Sequence, residues 1–367
     1  MSKTLDLNVS TQPFFRYKRV ERPEDVPPED PRIIDVAVLD MNHRWPNVGH
    51  NSLVNEIRET SLPLVPQLEA ANVGIRVLSF DVRSSLMIPD VRTDRFLLFV
   101  GTGGPGHLDP NLNDGESLWS QGIVEDPSWH SPVESLFNSI RDNDETALIA
   151  VCHTFGLVSI WSGAAEASLR SESVGGKSSG LLENVLTDEA RDHPWFSRFA
   201  TELPDGRHFR IIDSRLFDLV PTVPLPGNAI PLAYEVDAGR QVGRAMTMIE
   251  LARDPGGVMP RILAANHHPE VVDRAHAMRV LDGMHSRGEV TEDWYQERVA
   301  TLEQELSIGD VEAMLRLTSE FTLLLPIRYH LTRILRHRLK SLGITPTVHE
   351  EHFVDRLLSY RRKDVRP

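Results

Sequence analysis

Thr146-Ala-Leu-Ile-Ala-Val-Cys152-His-Thr-Phe-Gly156 decides the reading of this chain. Up to Val151 it is a short aliphatic and β-branched run of the kind that forms a buried strand. From Phe155 to Ala165 the apolar spacing predicts a helix. Between the two sits Cys152, the single cysteine in 367 residues. A cysteine on a sharp strand-to-helix turn lifts its sulfur above the sheet at the positive end of a helix, which favours the nucleophilic thiolate. An isolated cysteine is more often a small buried hydrophobe. Two other stretches argue for chemistry here.

The first lies upstream. Ile33-Ile-Asp-Val-Ala-Val-Leu-Asp40 is a near-continuous apolar run of the parallel-strand type, followed by a predicted helix from Asn51 to Ala71. Ile75–Asp81 and Arg95–Val100 are the next strands, and this alternation predicts an α/β domain with a parallel sheet. The last of them runs into Gly101-Thr-Gly-Gly-Pro-Gly106, where glycines let backbone N–H groups turn outward into an anion-holding nest. No Gly-Lys-Ser/Thr follows, and the spacing is not that of a dinucleotide fingerprint. Gly175-Gly-Lys-Ser-Ser179 lacks the upstream glycine of a phosphate loop and reads as a turn.

The second stretch lies downstream, beyond a predicted helix over Pro132–Arg141 and strands over His208–Asp213, Ala229–Val236 and Ala245–Ala252. Arg261-Ile-Leu-Ala-Ala-Asn-His-His-Pro-Glu270 reads as a strand delivering two histidines and a glutamate at its end. Alternate residues of a strand share a face, so His268 and Glu270 lie together and His267 points the other way, as a packed histidine.

Composition bounds the possibilities. Hydrophobic residues make up 40% and charged residues 25%, ordinary values for a globular chain with a sizeable core. A net charge of −14 argues against nucleic acid as a partner. One cysteine excludes an internal disulfide, and neither a membrane-length apolar run nor an amino-terminal signal pattern is present, so a cytoplasmic location is expected. Residues 1–32 are polar and proline-rich and predict a flexible arm; 33–275 form the α/β domain; 276–367 form a helical extension, and apolar spacing predicts helices over 271–287, 291–306 and 310–342. Within that extension Arg328, Arg333, Arg336, Arg338 and Lys340 cluster, as a solvated face or a docking face. His349-Glu-Glu-His352 has a metal-like spacing without further ligands, and neither a metal nor a cofactor is expected.

The three pieces make one chemistry. Cys152 attacks an acyl or amide carbonyl, His268 holds and moves the proton, and Glu270 orients the imidazole and stabilises its cation. Backbone N–H groups of Gly104 and His153 meet the oxyanion, and Gly103, Pro105 and Thr154 line the substrate. The set Gly103-Gly-Pro105, Ala-Val-Cys152-His-Thr and His268-Pro-Glu270, in that order along the chain, resembles the class I glutamine amidotransferase family. Asp218-Leu-Val-Pro followed by Leu225-Pro-Gly is similar to a further stretch of that family. The resemblance covers roughly residues 33–275 and implies a flavodoxin-like, mostly parallel sheet flanked by helices, with the helical extension outside it. The chain departs from the family elbow Gly-x-Cys-x-Gly-x-Gln, with Ala150, Thr154 and Gly156 at those positions. It also has Arg215 and Leu216 where a histidine often precedes the Asp-x-Val stretch.

Three functions fit. In the first, glutamine is hydrolysed through a cysteine thioester and ammonia passes to a separate synthetase subunit docked on the carboxyl-terminal helices. The second is a stand-alone hydrolase of γ-glutamyl or related amides. The third is a non-catalytic binding or scaffold protein on the same fold.

Overall fold

The computed structural model describes residues 14–45, 48–90, 94–170, 178–237, 241–271, 278, 281–283, 285–286, 288, 290–305 and 309–345. Gly175–Lys177, most of the predicted helix over 271–287 and His349–His352 lie outside these residues.

Twelve strands form one sheet: β1 (Phe15–Val20), β2 (Ile33–Asp40), β3 (Gly74–Asp81), β4 (Phe96–Gly101), β5 (Ala147–Val151), β6 (Ala165–Leu169), β7 (Ser178–Leu186), β8 (His208–Arg215), β9 (Phe217–Pro221), β10 (Ile230–Val236), β11 (Val242–Arg253) and β12 (Pro260–Ala265). Their order is β1-β3-β2-β4-β5-β12-β11-β10-β7-β8, with β9 pairing β11 and β6. From β1 to β12 every pairing is parallel, so β2, β4, β5 and β12 all end at one edge. From β11 outward the sheet is antiparallel. Chain order reverses between β2 and β4, and the crevice beyond such a reversal is where open α/β sheets bind ligands.

The parallel strands are apolar on both sides because both faces are covered. Ile34, Val36 and Val38 of β2 join one core, whereas Ala37 and Leu39 join the other, following the two-residue period of a strand. The second core is closed by α4 (His130–Asp142) and α5 (His153–Trp161). The first is closed by α1 (Val48–Ser61) and α2 (Val65–Ala71), and the short α3 (Val82–Ser85) follows β3. The single helix predicted over Asn51–Ala71 is broken by a 3-10 turn at Leu62–Leu64. Pro63 and Pro66 cannot donate to the preceding turn, so the helix restarts.

Two parts of the chain behave differently from their composition. Residues Phe15–Val20, expected within a flexible arm, form an edge strand paired in parallel with β3, and Phe15 and Val20 are fully buried. The proline-rich segment behind them is pinned from the body. Arg76 and Arg95 both pair with the buried Asp35 and donate to the carbonyls of Pro28 and Pro27. At the other end, the helix predicted over 310–342 is two helices, Gly309–Ser319 and Leu325–Ser341, joined by a π-helical turn over Glu320–Leu324. Pro326 has no N–H for the carbonyl of Thr322, and a wide turn accommodates that loss.

Leu325–Ser341 does not stand apart. Its Ile327, Leu331, Ile334, Leu335 and Leu339 belong to the same core as Val36 and Leu98. Its basic residues grip the body: Arg328 donates to Thr60 O (3.1 Å), Arg333 to Glu145 O (2.5 Å) and Arg338 to Pro31 O (3.1 Å). Among the described residues no helix is long and apolar enough to cross a membrane.

Candidate active site

Cys152 is the residue between β5 and α5, at φ +49° and ψ −103°. That left-handed backbone is rare for a residue with a Cβ and is held only where surrounding structure enforces it. Here Cys152 N donates to Ala265 O of β12 (2.8 Å). Thr154 N (3.3 Å) and Oγ1 (2.7 Å) both donate to Thr102 O. Gly156 N returns to Cys152 O (3.0 Å) and closes the first helical turn. His153 opens α5, so its N–H has no acceptor within the helix.

Gly103, Cys152 and His268 converge on one small space. A Cβ built on Gly103 would lie 3.1 Å from His268 Cε1, 3.3 Å from Cys152 Cβ and 3.6 Å from its Sγ. Any larger residue at 103 would therefore stand between the sulfur and the imidazole. Gly104 is required by a different contact, because its Cβ would fall 2.2 Å from Met41 O. Cys152 Sγ also lies 3.9 Å from Ser214 O at the end of β8.

His268 Nδ1 and Glu270 Oε1 are 2.7 Å apart, with Glu270 3% exposed. The strand β12 has already ended at Ala265, so these side chains do not meet by strand alternation as their spacing suggested. They meet in the turn beyond it, where His268 N donates to Ile212 O (2.9 Å) and Val271 N to His268 O (3.1 Å). Burial pushes the His268 imidazole towards its neutral form. The adjoining charges of Glu270 and Cys152, with hydrogen bonds to both, outweigh it and raise the pKa well above 6.5. His267 does face away: it is buried, its Nε2 lies 3.1 Å from Thr322 Oγ1 in the π-turn, and burial lowers its pKa to about 3.

Thr154 does not open on the substrate space expected of it. Its side chain is fully buried beneath the elbow, bonded to Thr102 O and packed where Gly101 lacks a Cβ, since a Cβ there would lie 2.3 Å from Thr154 Cγ2. The threonine on the elbow and the glycine ending β4 are thus complementary. Likewise a Cβ on Gly156 would come within 2.6 Å of Leu108, which fills the place a longer side chain would need. Arg215 joins a buried ion cluster. It donates to Asp213 (3.0 Å) and Asp218 (3.0 Å) and pairs with Glu235, while Arg170 donates to Asp218 (2.5 Å). This cluster fixes the β8–β9 corner that presents Ser214 O to the cysteine.

Sequence patterning missed the groups beneath the glycine turn. Arg83 and Glu125 form a fork-to-fork pair with both side chains fully buried, and Trp129 and Asn113 donate to the same carboxylate. Asp-Val-Arg83-Ser reads as a solvated charge until the fold encloses it.

Three buried histidines impose a pH dependence on stability. Burial lowers His267 to about 3 and His330 to about 4, and depresses His153 as well. The unfolded chain, with ordinary values near 6.5, therefore binds more protons than the folded one between pH 6.5 and about 4. Stability is expected to fall through that window by roughly 1.4 kcal/mol per pH unit for each fully buried histidine. His268 has the opposite sign: its contribution is complete below pH 6.5 and is lost as pH rises through its raised value. Urea midpoints at pH 7 and 4.5 check this, and His267→Gln should flatten the acid slope.

No protein-family model matches the chain, and no curated protein matches it in sequence. Solved structures with a similar course of the chain include SMU.1228c, 14% identical with a TM-score of 0.45, over 78% of this chain and 97% of that one. The glutaminase domain of Trypanosoma brucei CTPS with bound acivicin is 10% identical with a TM-score of 0.39, over 65% and 86%. A ThuA-like protein from Bacteroides uniformis is 7% identical with a TM-score of 0.33, over 67% and 89%.

Proposed function

We propose that the chain is a cysteine-nucleophile amide hydrolase of the glutamine amidotransferase type. The observation that carries this reading is a cysteine at φ +49° on a strand-to-helix elbow, facing a histidine that is itself held by a buried glutamate at 2.7 Å.

The Cys152 thiolate adds to the amide carbonyl carbon, and the displaced electron pair becomes an oxyanion facing the N–H groups of Gly104 and His153. His268, protonated because its pKa is raised, gives its proton to the amide nitrogen. The C–N bond breaks, ammonia leaves and a thioester remains. Neutral His268 then takes a proton from water as that oxygen attacks the thioester, and C–S cleavage restores the thiolate and imidazolium. Glu270 holds the imidazole through Nδ1 in both half-reactions. Glutamine is the first substrate to test, with the ammonia passed to a separate acceptor enzyme.

A stand-alone hydrolase of γ-glutamyl or related amides is the second reading, and two observations favour it. Leu108 fills the space at Gly156, and three of the five basic residues offered for docking a synthetase, Arg328, Arg333 and Arg338, are engaged with the chain's own carbonyls. Ammonia release from glutamine by the purified chain, with Cys152→Ala as blank, is the deciding assay. Release above the blank supports the first substrate. Silence with glutamine but cleavage of another γ-glutamyl amide moves the reading to the second. If no amide is cleaved and Cys152 is not acylated, with or without candidate acceptor enzymes, amide chemistry is wrong.

A further inference from the structure

We infer that Arg83 and Glu125 form a buried clamp that sets the position of the Gly103-Gly104-Pro105 turn, which makes Arg83 a positioning residue for the oxyanion donor Gly104. The inference rests on the amide-hydrolase reading for its catalytic consequence, although the clamp itself is a matter of geometry.

Arg83 has five N–H groups, and four are accounted for. Nε and Nη2 donate to Glu125 Oε2 (2.8 Å) and Oε1 (2.7 Å), which locks the plane of the guanidinium. Nη1 then reaches two backbone carbonyls, Met41 O (3.0 Å) beyond β2 and Pro105 O (2.6 Å) in the glycine turn. One nitrogen thus staples the turn to the strand end across the crevice where chain order reverses. Nη1 lies 3.2 Å from the place a Cβ on Gly104 would take, so it sits beside the donor residue. Pro105 makes the staple effective. Its ring fixes its own φ and restricts the residue before it, so holding its carbonyl constrains the peptide that carries Gly104 N–H.

Glu125 grips the far side of the same turn. It accepts from Asn113 Nδ2 (2.5 Å), whose Oδ1 accepts from His107 N (2.7 Å) and whose Nδ2 also donates to His107 O (3.1 Å). Gly106 N donates to Gln121 Oε1 (2.8 Å). The turn is therefore bracketed at Pro105 and at His107 by groups converging on one carboxylate. A buried pair of this kind is weak evidence of added stability, since an apolar pair of equal volume often serves as well.

The test uses the full chain and two variants, Arg83→Lys and Arg83→Met/Glu125→Gln. Lysine keeps the charge but cannot fork to a carboxylate and two carbonyls. The double variant removes both charges together, so no unpaired ion is buried. Three quantities are read: hydrogen exchange of the 101–107 backbone, kcat and KM on the amide substrate, and the rate of Cys152 alkylation by iodoacetamide. Expected are exchange faster by about tenfold or more, kcat lower by about 10²-fold and KM within about threefold. Alkylation should stay within about twofold, because His268 and Glu270 are untouched. Unchanged exchange in a folded variant overturns the clamp, and so does faster exchange with unchanged kcat. Should the double variant not fold, Arg83→Lys decides by the same criteria. If the wild type cleaves no amide, the functional reading fails by itself. Exchange then decides alone: faster exchange sustains the clamp, and unchanged exchange overturns it.

Discussion

His268→Ala is expected to lower kcat on the order of 10⁶-fold, and Glu270→Gln on the order of 10⁴-fold, with both proteins still folded. The two losses differ because the residues do different work. In the proposed mechanism His268 carries the proton in both half-reactions. His267 is adjacent in sequence, but it is buried on the opposite side against Thr322 and is neutral down to about pH 3. Glu270 holds the imidazole in one orientation and raises its pKa by its charge. A glutamine there keeps a hydrogen-bonding group but removes the charge, so the histidine releases its proton at lower pH. The pH dependence of iodoacetamide labelling at Cys152 separates the two effects from misfolding. In the wild type the imidazolium beside Cys152 persists through neutral pH because the His268 pKa is raised. In Glu270→Gln its alkaline limit should move to lower pH. An unmoved limit, or turnover within tenfold of wild type in His268→Ala, would remove the triad from the mechanism.

Gly104→Ala is expected to cost about 10²–10³-fold in kcat with little change in KM, the scale of losing one oxyanion donor. The added Cβ would sit 2.2 Å from Met41 O and 2.9 Å from Met41 C. Both are backbone atoms at the end of a central strand, which cannot swing aside as a side-chain tip would. The turn must therefore lift, carrying Gly104 N–H away from the sulfur. Steady-state kinetics together with the alkylation rate decide the matter: kcat should collapse while the thiolate still reacts. Parallel loss of alkylation and fold would instead assign Gly104 a purely structural role.

The central strands of the parallel half were legible because their determinants are local. Ile33–Asp40 forms β2 over the residues read from its apolar run, and Ile75–Asp81 and Arg95–Val100 fall within one residue of β3 and β4. A strand covered on both faces must be apolar throughout, and that pattern is visible without knowing what covers it. The same holds for the cysteine elbow and the glycine turn, where residue type reports backbone conformation and close approach directly. The pairing of His268 with Glu270 was read from spacing and is present, but its cause is a turn beyond β12.

What only the tertiary structure decided are the arrangements that depend on which distant segments become neighbours. Arg83 meets Glu125 across 42 residues, and Thr322 meets His267 across 55. Thr154 finds its room because Gly101 ends the adjacent strand. A polar amino-terminal stretch becomes an edge strand because β3 offers it a free ladder and two arginines hold the prolines behind it. In a sequence, a charge or a proline signals solvent exposure, because that is its cheapest state in isolation. Once a fold supplies a counter-charge or a carbonyl at 3 Å, burial becomes stable, and no local pattern records which residue supplies it.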